Sequence, residues 1–197
     1  MNYTEDPLQR ALMLLGGILD ARDSTPVELV VCGGAALRAI GLVSRATKDV
    51  DVLARRGEID REVMSAWPLP DFLLEAVAEV AGELRLPLNW LNASAGMMTV
   101  ALEDLPASVW SELVEQEYGS RLRIGFVGRK GLLFLKAHAA IDREEKRDLF
   151  DLKAIDPTTA EWQEVMAWLE KRCLVNDGNR ARLYEVMSAL KVEGGHE

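Results

Sequence analysis

Asp49 and Asp51 are separated only by Val50, and both follow a pair of glycines, Gly33 and Gly34, that ends an apolar run. In an extended chain, residues two apart project to the same face. Asp49 and Asp51 therefore point one way while Val50 and Val52 point toward the core. Two adjacent carboxylates repel each other, and a divalent cation between them removes the repulsion. Hard oxygen donors favour Mg2+. Gly33 and Gly34 fall where a strand turns into a helix, a place where glycine lets a phosphate approach the backbone. Metal-binding carboxylates beside a phosphate cradle suit phosphoryl or nucleotidyl transfer. Each feature alone also has a plain structural reading: a tight glycine turn, and the solvated face of an edge strand.

Further along, Lys136 lies inside the apolar run "LLFLKAHAA", where its ammonium must snorkel or find an acid. Asp148 and Asp151 are three apart and share one side of a helix. Two roles for Lys136 stay open: an ion pair with one of these aspartates, or a charge clamp over a triphosphate. Arg45, Lys48, Arg55 and Arg56 flank the aspartate strand, either as ordinary surface charge or as a local positive rim. His138, two residues from Lys136, reads as structural or as polar surface, on another helix face; His196 sits in the C-terminal tail. No histidine or cysteine spacing suits zinc. Cys32, at the end of an apolar run, reads as a buried structural thiol.

The order of motifs resembles the nucleotidyltransferase superfamily that includes DNA polymerase β: Gly-Gly or Gly-Ser, then Asp-x-Asp. More narrowly, "GGAALRAIGLVSRATKDVDVL" is similar to the bacterial branch that contains the AbiEii and MenT toxins. That branch often reads R-x-T-x-D-[IV]-D, as Arg45, Thr47, Asp49 and Asp51 do. The later "FLKAHAAIDREEKRDLFDLKAI" supplies its lysine and its Asp-x-x-Asp element with Lys136, Arg147, Asp148 and Asp151. The resemblance covers roughly residues 27–155. It implies transfer of a nucleoside monophosphate from a nucleoside triphosphate to an acceptor hydroxyl. Asp49 and Asp51 would hold Mg2+, with Lys136 and Asp148 catalytic and Gly33, Gly34, Arg45 and Lys48 binding substrate. It also implies RNA, especially tRNA, as the acceptor, and an antitoxin protein as a partner in a toxin–antitoxin or phage-defence setting. Two departures stand out. Ala35 occupies a position where many members carry serine, and "LRIGFV" offers no third acid, leaving Glu103 and Asp104 as candidates. Both departures favour an alternative, a catalytically inactive member serving as a binding module. A dinucleotide site is disfavoured, because "CGGAAL" lacks the G-x-G-x-x-G spacing.

These residues need a scaffold, and the chain suggests one of α/β (α+β) class. It has 197 residues, a net charge of −9 and 49% hydrophobic residues, enough for a sizeable core without disulfides. The acidic surface opposes broad nonspecific binding to nucleic acid. The first apolar stretch is too short and too interrupted to be a membrane span or a signal sequence, so a cytoplasmic, soluble protein is expected. Helical spacing appears over residues 7–22, through Leu8, Ala11, Leu12, Leu15, Ile18 and Leu19. "VELVVC" reads as a buried strand, "AALRAI" as a short helix stopped by Gly41, and "DVDVLA" as a second strand. "DREVMSAW" is expected to be helical. Asp71 is expected to cap a helix with Leu74, Val77, Ala78 and Ala81 on its apolar stripe. A strand is possible between Pro87 and Pro106, and another is expected over residues 121–127. Everything after Lys130 reads as helix, with Trp162 and Trp168 in packing roles. The expected organisation is a small mixed-sheet core over residues 1–129 and a helical part over 130–197, packed as one unit.

Overall fold

The computed structural model of the chain describes residues 7–57, 61–97, 100–143 and 146–191. His196, the first six residues, Asp60 of "DREVMSAW", the 98–99 part of "MMTVAL" and the 144–145 part of "EEKRDLFDLKAI" lie outside them. The fold is mixed α/β, with one six-stranded sheet in the order β3-β2-β1-β6-β5, and β4 paired to β2.

The first helix, α1 (Pro7–Ala21), begins on proline, whose fixed φ and missing N–H suit a first helical position. Its stripe is buried as its spacing requires, with Leu8, Ala11, Leu12, Leu15 and Leu19 in the core. Strand β1 (Val27–Cys32) is almost entirely apolar and is flanked by a strand on each side. It runs antiparallel to β2 (Val50–Arg56) and parallel to β6 (Leu122–Phe126). Between β1 and β2 lies α2 (Gly33–Ala39), a short helix that ends as Gly41 takes a φ of +77°.

Four elements depart from the sequence expectations. The described part of "DREVMSAW" is not helical: Val63–Ser65 forms β3, antiparallel to β2. Pro68 disfavours helical backbone at Trp67, and the edge of β2 offers hydrogen bonds that so short a helix could not match. In α3 (Asp71–Leu84) the N-cap is Pro70, and Asp71 is the first helical residue. There its carboxylate still favours the positive end of the helix. The buried stripe runs through Leu73, Ala76, Val77, Val80 and Ala81, while Leu74 is exposed. The possible strand after Pro87 is only β4 (Leu91–Asn92), followed by short 3-10 turns, Ser94–Met97 and Leu102–Asp104. Strand β5 (Val114–Glu117), which the sequence does not signal, is an edge strand antiparallel to β6. Its burial is slight, so its "VEQE" carries no apolar pattern.

After α4 (Ser108–Ser111) and the β5-β6 hairpin come α5 (Arg129–Asp142), α6 (Lys146–Ile155), α7 (Thr159–Lys171) and α8 (Arg180–Leu190). Helix α7 opens with a capping box, in which the Thr158 hydroxyl accepts from the Glu161 N–H and Glu161 accepts from the Thr158 N–H. Glu161 is also paired with Arg129, and the Arg129 hydrogen bond leads the effects that bring its carboxyl down to about 2. Helix α5 is buried nearly all round, as a helix enclosed by other elements should be. Its Leu132 and Leu133 belong to the same hydrophobic cluster as Leu29 and Val31 of β1 and Trp162 of α7. The sheet and the C-terminal helices therefore share a core.

Candidate active site

The site forms where β1 ends. Cys32, the last residue of β1, lies opposite Asp51 on β2. The register shifts at Val30 and Val31, so that Val30 faces Ala54 and Val31 faces Val52. A bulge of this kind bends a strand and re-aims its side chains, and bulges are common beside functional sites. Below it, Val50 and Val52 are fully buried while Asp51 is only partly so, the alternation expected from the sequence. Asp49 immediately precedes β2.

Gly33 adopts a φ of +68°, a backbone that favours glycine. A Cβ at Gly33 would stand 2.6 Å from Oδ2 of Asp51. One at Gly34 would stand 2.9 Å from Oγ1 of Thr47. The glycine pair thus admits the side chains of Asp51 and Thr47 against the backbone. Thr47 in turn donates to Oδ1 of Asp49 at 3.4 Å, a weak contact. Asn92 of β4 donates to Oδ1 of Asp51 at 3.3 Å. Among the described residues, neither Asp49 nor Asp51 has an ion-pair partner. Burial and then the neighbouring Asp49 charge push the Asp51 carboxyl upward, with Asn92 and the more distant Lys136 and Arg143 opposing. Its surroundings therefore disfavour its charged form.

Asp51 opens into a cavity of about 230 Å³, shared with Gly33, Ser94, Lys136, His138 and Asp142 among its walls. Lys136 is 6% exposed. Its Nζ pairs with Oδ1 of Asp148 and Oδ2 of Asp151, each at 2.8 Å. Burial works to lower the Lys136 ammonium, but the Asp148 charge and the hydrogen bonds to both aspartates hold it above its ordinary value. Asp148 also accepts from Nε of Arg143 at 2.9 Å. Burial would raise its carboxyl, yet Arg143 and Lys136 together keep it low. Arg45 reaches back from the loop before β2 to grip both oxygens of Asp151, at 2.7 and 2.9 Å. Three cations thus surround two buried carboxylates, an arrangement that ties the aspartate loop to α5 and α6.

Of the residues singled out from the sequence, Gly33, Asp51 and Lys136 line the cavity. Asp148 and Arg45 belong to the charge network joined to it through Lys136 and Asp151. Lys48 is exposed and has no ion pair among the described residues. Arg55 and Arg56 do not rim the aspartates: they pair in register with Leu29 and Glu28, toward the other end of β1, and Arg56 is bound to Glu28. Alternation along β2 is no guide to this, because the strand is long enough to carry its basic end away from the site. Asp104 is not a third acid, since it pairs with Arg172 and its carbonyl accepts from the Trp168 indole. Glu103 is exposed and lines no part of the cavity.

Other titratable side chains also line the cavity, among them Asp142, His138 and Arg143. Asp142, at the end of α5, opens on it, and His138 shares it with Lys136 although the two are only two positions apart. Helical spacing carries the signal for Asp142: Lys136, Ala139 and Asp142 succeed one another at intervals of three. A helix buried on every side puts more than one stripe against functional space, which is why His138 escapes the same reasoning. Among the described residues, no group of three His, Cys, Asp or Glu side chains gathers as a metal site, and no helix is long and apolar enough to cross a membrane. No family model matches the chain, and neither does any curated protein or solved structure.

Proposed function

We infer that the chain transfers a nucleoside monophosphate from a nucleoside triphosphate to an acceptor hydroxyl, with release of pyrophosphate. One observation carries this reading. Asp51 stands beside Asp49, and among the described residues neither has an ion-pair partner, at a cavity whose walls also carry Lys136 and Arg143. Mg2+ fits the donor set, two hard carboxylates beside a backbone with no side chain, and it keeps several water or phosphate ligands of its own. Asp49 and Asp51 would hold it, and its Lewis acidity would favour charge building on the phosphates.

The chain's own groups do the rest. Gly33 leaves the Asp51 carboxylate uncovered at the mouth of the cavity. Lys136, gripped by Asp148 and Asp151, anchors the cationic wall, and Arg45 and Arg143 extend it outward. Lys136 and Arg143 on the cavity wall would attract a triphosphate, and the fixed position of Lys136 requires little reorganisation. RNA, and tRNA in particular, is the acceptor the motifs suggest, within a toxin–antitoxin or phage-defence setting that would also supply an antitoxin partner.

The test is isothermal titration of each of the four nucleoside triphosphates with Mg2+ into the native protein and the Asp49→Asn/Asp51→Asn variant. Binding that the variant loses supports the site. A folded native protein that binds none of them removes it.

A second reading has one observation in its favour. Lys136 is fully engaged by two aspartates, as a structural lysine would be, and Ala35 adds no hydroxyl at the turn. In that reading the fold binds a nucleotide or a protein partner without catalysing transfer. Tight Mg2+-dependent binding with no label transferred to RNA would select it.

A further inference from the structure

The cavity holds a group that neither reading uses. His138 is only 6% exposed, yet it lines the same cavity as Asp51. Trp168 meets its ring edge-on, with centroids 6.3 Å apart and an interplanar angle of 78°. Burial, Asp142 and Arg143 act on the ring, and no hydrogen bond is among these effects. Its ring nitrogens are not sealed from the cavity, and they can hydrogen-bond to water or to a group bound there.

We propose that His138 is the general base of the site, accepting the proton of the acceptor hydroxyl in the cavity it shares with Asp51. The proposal rests on the nucleotidyl-transfer reading and supplies a base that no strand carboxylate provides. The hydroxyl oxygen forms a bond to the α-phosphorus as its proton passes to a ring nitrogen. The bond from that phosphorus to the bridging oxygen breaks, and pyrophosphate leaves with the electron pair. The imidazolium then returns its proton to water.

The other groups facing the cavity are poorer choices. The Cys32 thiol is pushed up to about 12, chiefly by burial and then by Asp51. Asp51 is assigned to the metal, while Lys136 and Arg143 are cations held by Asp148. Asp142 is an exposed carboxylate, and carboxylates are weaker bases than imidazole. Burial lowers the His138 imidazole from its ordinary 6.5, Arg143 adding to the effect and Asp142 opposing it. That direction favours the neutral ring, the form able to take a proton.

The test compares the native protein with His138→Gln, which keeps a hydrogen-bonding side chain but no useful base. Each α-32P-labelled nucleoside triphosphate is supplied with Mg2+ and total cellular RNA, and nucleotide binding is measured by titration in parallel. The expected result is binding within about threefold of native and label transfer slower by about a hundredfold or more. Native transfer by His138→Gln overturns the proposal and leaves the nucleotidyl-transfer reading standing. A native protein that neither binds nor transfers overturns both. Should the variant fail to fold, the native ring decides. The chain has two histidines, so nitrogen-15 signals of His138 are separable from those of His196. A His138 ring that is neutral at pH 7 and shifts on adding RNA with a non-hydrolysable triphosphate supports the role. A ring charged at pH 7, or unmoved by both ligands, overturns it.

Discussion

The two ends of the sheet hold opposite solutions to the same problem, charge beside an open cavity. At the far end a cavity of about 480 Å³ is lined by Arg56, Arg61, Arg121 and Arg123 together with Glu28 and Glu117. There each arginine has an acid: Arg56 and Arg61 share Glu28 and Glu115, Arg121 has Asp23 and Arg123 has Glu117. At the near end the cavity has about half the volume, about 230 Å³. Yet among the described residues Asp49 and Asp51 have no ion-pair partner, while Lys136 and Arg45 are paired with a different pair of acids. The larger cavity is electrostatically closed and the smaller one is not. Volume alone points to the far end. A pair of like charges left uncompensated, at a turn whose positive φ favours glycine, is the better guide to a site.

The comparison breaks most forcefully at Lys136. Lys136→Met leaves Asp148 and Asp151 buried with one fewer cation between them. Removing one partner from a buried pair costs about 3–5 kcal/mol, read as a loss of unfolding free energy in urea. Adding Asp148→Asn and Asp151→Asn should recover part of that loss, since the uncompensated charge goes with them. The pH dependence follows from the directions of the shifts. Asp148 lies below its ordinary 3.8 in the folded chain, so its contribution is complete above that value and is lost as the pH falls through the lower folded one. Lys136 lies above its ordinary 10.5, so its contribution is complete below that value and is lost as the pH rises through the higher folded one. Between those limits these two contributions should be insensitive to pH.

Next in size is Gly33→Ala. Its φ of +68° strains any other residue, and its Cβ would meet Oδ2 of Asp51 at 2.6 Å. Strain at such a position costs about 1–3 kcal/mol. Asn has the size and shape of Asp, so Asp51→Asn does not relieve the clash, and Gly33→Ala should lower the melting temperature in that background as well. A Gly33→Ala protein as stable as the native one would mean that the turn is free to rearrange and that the glycine does not define the site.

Much of this turn is legible in the residues themselves. The strand–glycine–helix–aspartate order depends on local properties, namely β-branched runs, a residue able to take positive φ, and alternation along β2, and these are written in neighbouring positions. What a sequence does not carry is what meets what across long separations. Arg45 joins Asp151 because the loop before β2 folds onto α6, and no spacing connects those positions. The pairing of Lys136 with both aspartates, rather than one, depends on the angle at which α5 meets α6. Strand β5 is hidden because an exposed edge strand needs no apolar pattern, and β3 because its three residues pair only by virtue of β2 beside them.

A smaller effect of opposite sign sharpens the contrast. Asp51→Asn should stabilise the metal-free protein, because burial and Asp49 hold the folded carboxyl above its ordinary 3.8. A charged group in that position disfavours folding at neutral pH. Its removal should raise stability by roughly 0.5–2 kcal/mol, the usual yield of relieving functional strain. The gain should shrink as the pH falls through the raised folded value and disappear below 3.8, where the native side chain is protonated in both states. Thermal melts at pH 7 and pH 3 measure it. Equal melting temperatures at pH 7 would mean that the two aspartates do not burden each other.

The far end supplies the smallest expected effect. Arg61 pairs with Glu28 and Glu115, and its side chain is 43% exposed. Hydrogen bonds to the two acids, Glu28 first, hold its guanidinium above the usual arginine range. Solvent screens such pairs, and an exposed pair contributes about 0–1 kcal/mol. Glu28 keeps Arg56 when Arg61 is removed, and Glu115 keeps the longer contact to Arg56 at 3.5 Å. Arg61→Ala should therefore cost less than about 1 kcal/mol, and the cost should fade between about 0.05 and about 1 M salt as the Debye length contracts to about 3 Å. Titration of nucleoside triphosphate with Mg2+ should give the same affinity in Arg61→Ala as in the native protein. A loss of nucleotide binding in Arg61→Ala would reverse the comparison, because the large, balanced cavity and not the small, unbalanced one would then hold the ligand.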